Sequence, residues 1–150
     1  MDKTDRIAFV NMQEILKNCN AGKKAIEDIK KHYEKDALEI KSVEEDLKKM
    51  KEELEKKSSL SETDRMEKET AYQKKFRDYQ LRVSDANEEL KKRDQVMTQQ
   101  LVPGILKTID SIAEKEKYVI VVDVSVVAFP YYAKENDISG RVIEELNKAE

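Results

Sequence analysis

From Ala21 onward, apolar residues recur every seven positions. Ile26, Tyr33, Ile40, Leu47 and Leu54 form one row, and Ile29, Val43 and Met50 fill positions three residues further on. Alternating steps of three and four residues put these side chains on one stripe of a helix, the seam of a coiled coil. Asp36 stands where another apolar residue of the second row is due. A second pair of rows follows "KKSSLSETDRME". Phe76, Val83, Leu90 and Met97 are seven apart, with Tyr72, Tyr79 and Ala86 between them until Arg93 breaks that row. Two such helices joined by a short turn fold back as an antiparallel hairpin.

The hairpin is expected over residues 21–102, with its tip near 58–61. Ser58, Ser59 and Ser61 mark the turn, and Ser61 with Asp64 resembles a capping box in which Asp replaces the usual Glu or Gln. Folding at residues 59–60 sets Leu47 against Tyr72, Val43 against Phe76, Ile40 against Tyr79 and Ile29 against Leu90. Asp36 then falls near Val83, with Arg82 adjacent to neutralise it. Helix one alone is expected to span roughly 57 Å.

Charge supports this reading. Charged residues make up 41% of the 150, yet the signs nearly cancel, with 29 basic and 32 acidic side chains. Each helix of the hairpin is neutral, so the charges read as solvated helix faces and give no basic footprint for nucleic acid. No run of about 20 apolar residues exists to span a membrane. The start, "MDKTDRIAFV", lacks the apolar segment of a signal peptide. A chain this extended has little core per residue, and its stability is expected to lean on oligomerisation.

The remaining residues, 6–20 and 103–149, are expected to form a small body. "RIAFVNM" reads as a strand buried on both faces, with Ile7 and Phe9 on one side and Ala8 and Val10 on the other. Ile15 and Leu16 suit one short helical turn, with Asn18, Asn20 and Gly22 as breakers before the long helix. In "QQLVPGILKTID", Pro103 and Gly104 interrupt a helical pattern, each unfavourable in a helix interior. The register puts them just beyond the base of the hairpin, as a bend between arm and body. Beyond them Ile105, Leu106, Ile109, Ile112 and Ala113 make a broad apolar stripe. Tyr118–Val122 and Val126–Phe129 read as two strands, ended by Pro130. Ser139 suits an N-cap, followed by an amphipathic helix through Val142, Ile143 and Leu146. The fold class is therefore α+β: a small β-rich body carrying a long helical hairpin. So few strands leave sheet edges open, and association between subunits would close them.

Catalysis finds no support. His32 and Cys19 are the only histidine and cysteine, with no orienting third group in sight. No phosphate loop, dinucleotide fingerprint or metal-spaced cluster occurs, so no cofactor, metal or small-molecule substrate is expected. Paired carboxylates such as Glu44–Glu45 lie among lysines on solvated faces. Four apolar residues fall off the seam: Leu38, Leu60, Met66 and Leu81. Scattered surface apolar residues are ordinary, but on long arms many weak contacts would suit large, irregular partners.

The order of parts carries a resemblance. A strand in "IAFVNMQEIL", "AGKKA" opening a charged helix, "LVPGILKTIDSIAEKEKYVIVVD", "VVAFPYY" and "DISGRVIEELNK" are similar to the Skp/OmpH family of periplasmic chaperones over residues 6–148. The resemblance implies a homotrimer whose hairpin arms enclose a cavity. It implies an ATP-independent holdase for unfolded outer-membrane proteins, acting in the periplasm. It places Ile7, Phe9, Val119, Val121 and Val127 in or near the trimer body and makes Pro103 and Gly104 a hinge. Family members with strongly basic arms attract acidic clients and lipopolysaccharide. These arms are neutral, so no lipopolysaccharide site is carried over and contact with a membrane surface stays open. The missing signal peptide is attributed to a chain that begins at the mature protein. The rival reading is a structural coiled coil that tethers one folded partner.

Overall fold

The structure is a computed structural model that describes residues 6–56 and 61–149. The elements run β1 (Ile7–Val10), α1 (Met12–Asn18), α2 (Asn20–Glu55), α3 (Glu62–Glu116), β2 (Ile120–Asp123) and α4 (Ser139–Lys148), with a 3-10 turn at Lys134–Asn136. Two compact units emerge: Ile29–Arg93, and Met1–Asp28 with Asp94–Glu150. The hairpin turn itself, with Ser58, Ser59 and Leu60, lies outside the described residues. Ser61 caps α3 as its spacing suggests, its hydroxyl accepting from the Asp64 N–H at 3.2 Å.

In the second unit β1 and β2 pair in parallel, with Ile7 opposite Ile120 and Phe9 opposite Val122. Parallel neighbours require a crossover connection, and here the crossover is α1, α2 and α3 entire. Ala8 and Val10 point into the core, with Val121 packed against the same cluster. The opposite face of β1 is not buried as expected. Ile7 is exposed, and the half-buried Phe9 packs with the rings of Phe129 and Tyr132, at 6.0 and 4.9 Å. The second edge of β1 is taken by the chain entering α4, where the Ile138 N–H donates to the Phe9 carbonyl at 2.9 Å.

The strand expected at Val126–Phe129 does not form. Asp123 Oδ1 accepts from both the N–H and the hydroxyl of Ser125, at 2.9 and 2.7 Å. That turn ends the ladder, and both edges of β1 are already occupied. Val126 is left 78% exposed. β-branched composition gives this segment strand propensity, but among the described residues it has no strand partner.

The core is the cluster Ala8, Val10, Ile15, Leu16, Ile105, Ile109, Ile112, Ile138 and Val142. The stripe on α3 is narrower than expected, since Leu106 faces solvent. Pro103 sits inside a continuous helix, α3. Ser139 is not the N-cap of α4. Ile138 holds that position, and the Ser139 hydroxyl accepts instead from the Asn11 N–H at 2.8 Å, tying the start of α4 to the end of β1.

Gly22 is no helix breaker either. It lies inside α2, where the Leu16 carbonyl of α1 approaches so closely that a Cβ would overlap it. The chain turns between the two helices at Cys19, whose backbone is extended. Glycine is needed here for closeness rather than for an unusual φ.

The C-terminus of α3 is closed by paired hydrogen bonds, Tyr118 N–H to Ala113 O at 2.9 Å and Lys117 N–H to Glu114 O at 3.4 Å. This is a Schellman motif, and it needs a left-handed residue at Lys117, whose φ is 59°. A non-glycine residue there is strained by roughly 1 kcal/mol. Lys117→Gly is therefore expected to raise stability by up to about 1 kcal/mol, and Lys117→Val to lower it, in urea unfolding at fixed protein concentration. Arg6 clasps the same turn. It donates to the Glu116 carbonyl at 3.0 Å and lies over the Tyr118 ring at 4.6 Å. The Glu116 carboxyl, held by a hydrogen bond from Arg141 and then by the charges of Arg141 and Arg6, titrates below its usual range.

Candidate functional site

Within Ile29–Arg93 the facing stretches of α2 and α3 are linked by polar rungs one heptad apart. Glu53 pairs with Lys68 at 3.4 Å, Asp46 with Lys75 at 3.0 Å and Glu39 with Arg82 at 3.3 Å. Acid lies on α2 and base on α3 throughout, so the rungs fix direction and register more than they stabilise; each exposed pair contributes under about 1 kcal/mol. Tyr79 donates its hydroxyl to Glu44 at 2.6 Å. That bond, with partial desolvation and the carboxylate's charge, raises the phenol above its ordinary range.

Between the helices Leu47 and Ala86 are buried, and Ile29, Ile40, Val43, Met50, Leu54, Tyr72, Tyr79, Val83 and Leu90 are half-buried. Tyr33 and Phe76, placed on the seam by their spacing, stand at its margin and are exposed. Phe76 instead stacks between Tyr72 and Tyr79 along α3, with centroids 6.2 Å apart on either side. Two further seam positions, Ile26 and Met97, belong to the other unit, where Met97 is buried and Ile26 exposed.

The off-seam residues do face solvent: Leu38 is 71% exposed, Met66 69% and Leu81 62%. They are not brought together. Leu38 and Leu81 each precede a seam residue by two positions, which puts them on the outward faces of different helices. Leu60 lies outside the described residues. Among the described residues no cluster could hold a metal ion, and no helix is long and apolar enough to cross a membrane.

In the other unit the residues assigned to a trimer body divide between two faces. Val121 joins the core, whereas Ile7, Val119 and Val127 are exposed. Sequence reasoning missed several companions on this exposed surface, namely Ile120, Val126, Phe129 and Tyr131. A signal was present, since "YVIVVDVSVVAFPYY" is an apolar run without a helical period. Pro103 and Gly104 lie on the solvent side of α3. Gly104 also borders a crevice of about 190 Å³ with Cys19, Leu101, Ile105 and Leu146.

These features define a class: an α+β chain in which a paired-helix hairpin interrupts a parallel strand crossover, with exposed apolar side chains on both units. The chain matches the family described as "Outer membrane protein (OmpH-like)" over residues 6–146, and it belongs to that family. Its fold is shared by a Caulobacter crescentus protein described as a candidate outer membrane chaperone (OmpH-like). That match has a TM-score of 0.72 at 14% identity and covers 97% of this chain and 86% of the other. No curated protein matches the chain.

Proposed function

We propose that this protein is an ATP-independent holdase that keeps unfolded outer-membrane proteins from aggregating in the periplasm. The observation that carries the reading is family membership over nearly the whole chain, joined to a hairpin that displays isolated apolar side chains on a neutral, highly charged surface. Single contacts of that kind are weak, and a large unfolded client would be held by many at once. The client-contact residues proposed are Leu38, Met66 and Leu81, together with Leu60, which lies outside the described residues.

Assembly as a homotrimer belongs to the same proposal. Among the described residues the outer edge of β2 has no strand partner, and Val119, Ile120, Val126, Val127 and Tyr131, in β2 or flanking it in sequence, are exposed. Apolar residues gathered beside an open edge mark a surface that a soluble chain ordinarily covers. Pro103 and Gly104 are the proposed hinge. Proline has no N–H to offer the carbonyl one turn back, at Gln99, so the helix is weakest there.

The test combines mass and activity. Sedimentation equilibrium is expected to give one species of about 52 kDa, three chains of 17.5 kDa. The protein is expected to suppress aggregation of several unrelated unfolded β-barrels without nucleotide, and to ignore their folded forms. Replacing Leu38, Met66 and Leu81 together with Ser should weaken suppression several-fold while leaving the mass unchanged. Tight binding to a single folded partner, with no suppression, would replace the holdase with a tether.

A further inference from the structure

We infer that the hairpin has a built-in point of flexion at the level of Asp36 and Ala86, separating a stapled distal segment from a looser proximal one. Three observations converge there. Asp36 interrupts the apolar row of α2, and Ala86 offers the smallest side chain in the facing row of α3. Around them lies a crevice of about 270 Å³, lined by Asp36, Glu39, Ile40, Arg82, Asp85, Ala86 and Glu89. A carboxylate facing a side chain as short as alanine leaves fewer apolar contacts at this level to hold the helices in one geometry.

The polar rungs stop at the same level. They run from Glu53–Lys68 through Asp46–Lys75 to Glu39–Arg82. Among the described residues, none joins 29–38 of α2 to 83–93 of α3. Glu89, one heptad beyond Arg82, turns back to Arg93 of its own helix at 3.0 Å. The distal side also holds the buried Leu47 and the Tyr79–Glu44 hydrogen bond between the helices. One side of the crevice is therefore fastened by packing and polar bonds, and the other by sparse packing alone. Bending concentrates where both kinds of fastening lapse together. It is a property of the hairpin itself and does not depend on what the protein binds.

Hydrogen exchange on the full chain is the first test. Amides of 33–40 and 83–89 are expected to exchange at least about tenfold faster than those of 43–50 and 72–79. Simple fraying from the turn predicts the opposite order, a steady slowing from the turn toward Ile29, and that result would overturn the inference. Asp36→Leu fills the gap and is expected to slow exchange at 33–40 by about tenfold. Asp36→Asn keeps the shape, removes only the charge, and should leave exchange fast. Slow exchange in the Asn variant would assign the opening to carboxylate repulsion with Asp85 and Glu89, and so overturn the gap as its cause.

A second measurement reads bending directly. Spin labels at positions 30 and 51, in a Cys19→Ser background, are separated by about 32 Å along α2. Their distance distribution should narrow when Asp36→Leu is added. An unchanged width would mean that the seam gap loosens contacts without bending the hairpin, and the flexion point would be withdrawn.

Discussion

Ile105→Ala is expected to lower the free energy of unfolding by about 2–5 kcal/mol, while Leu106→Ala changes it by less than about 0.5 kcal/mol. The two residues are neighbours on α3 and differ by one position around the helix. Ile105 is 1% exposed and lies in the cluster with Ile15 and Val142; Leu106 is 51% exposed. Truncating Ile105 removes buried methyl groups and leaves a void that its neighbours, themselves anchored in separate elements, cannot close. The existing crevice beside Ile105 would be enlarged rather than filled. Urea unfolding at one fixed protein concentration gives both values, and equal effects would mean that the apolar face of α3 is set differently from the structure. The comparison is sharp because sequence periodicity alone puts both residues on the stripe.

Gly22→Ala is the second large effect. It is expected to cost about 1–3 kcal/mol or more, the range of overpacked interiors. By helix propensity the change should instead gain roughly 1 kcal/mol. The sign is decided by the Leu16 carbonyl, which a Cβ would overlap, and by the Cys19 sulfur, 3.2 Å from the same point. Backbone cannot swing aside as a long side chain does, so α1 must move from α2, and α1 carries Ile15 and Leu16 into the core. Gly104→Ala is the control. Nothing lies within 4 Å of a Cβ there, and the propensity gain of about 1 kcal/mol should appear in full. Opposite signs for two helical glycines in one chain would establish close packing, not helix propensity, as the reason for Gly22. Two gains would mean that α1 is free to shift.

The same two glycines show what a sequence discloses and what it hides. Both look like interruptions, and only three-dimensional neighbours tell them apart. The heptad rows were readable because a coiled-coil seam is a local pattern, with burial following directly from spacing. Asp36 was visible as a fault by the same logic. The Val126–Phe129 run misled because strand propensity reports suitability for a sheet, not the presence of an unpaired edge to join. Ser139 misled in a related way, since its hydroxyl serves a distant N–H rather than its own helix. Of the proposed contact residues, exposure was legible at Leu38, Met66 and Leu81, whose places in the heptad rule out the seam. Their separation on different faces follows only from how the helices pair. The exposed aromatic surface around Phe129 and Tyr131 escaped because apolar composition first suggests core.

The parallel pairing of β1 with β2 has a consequence in time. Residues 7 and 120 are ladder partners, so the sheet cannot close until almost the entire polypeptide is available. Contacts so distant in sequence form slowly, because the intervening loop must be closed before they contribute anything. The hairpin changes that order of events. Its helices meet through contacts that need only their own residues, and once zipped they shorten the effective loop that the sheet must close. The coiled coil is thus expected to act as an internal splint during maturation, with the N-terminal strand waiting unpaired until the last third of the chain arrives.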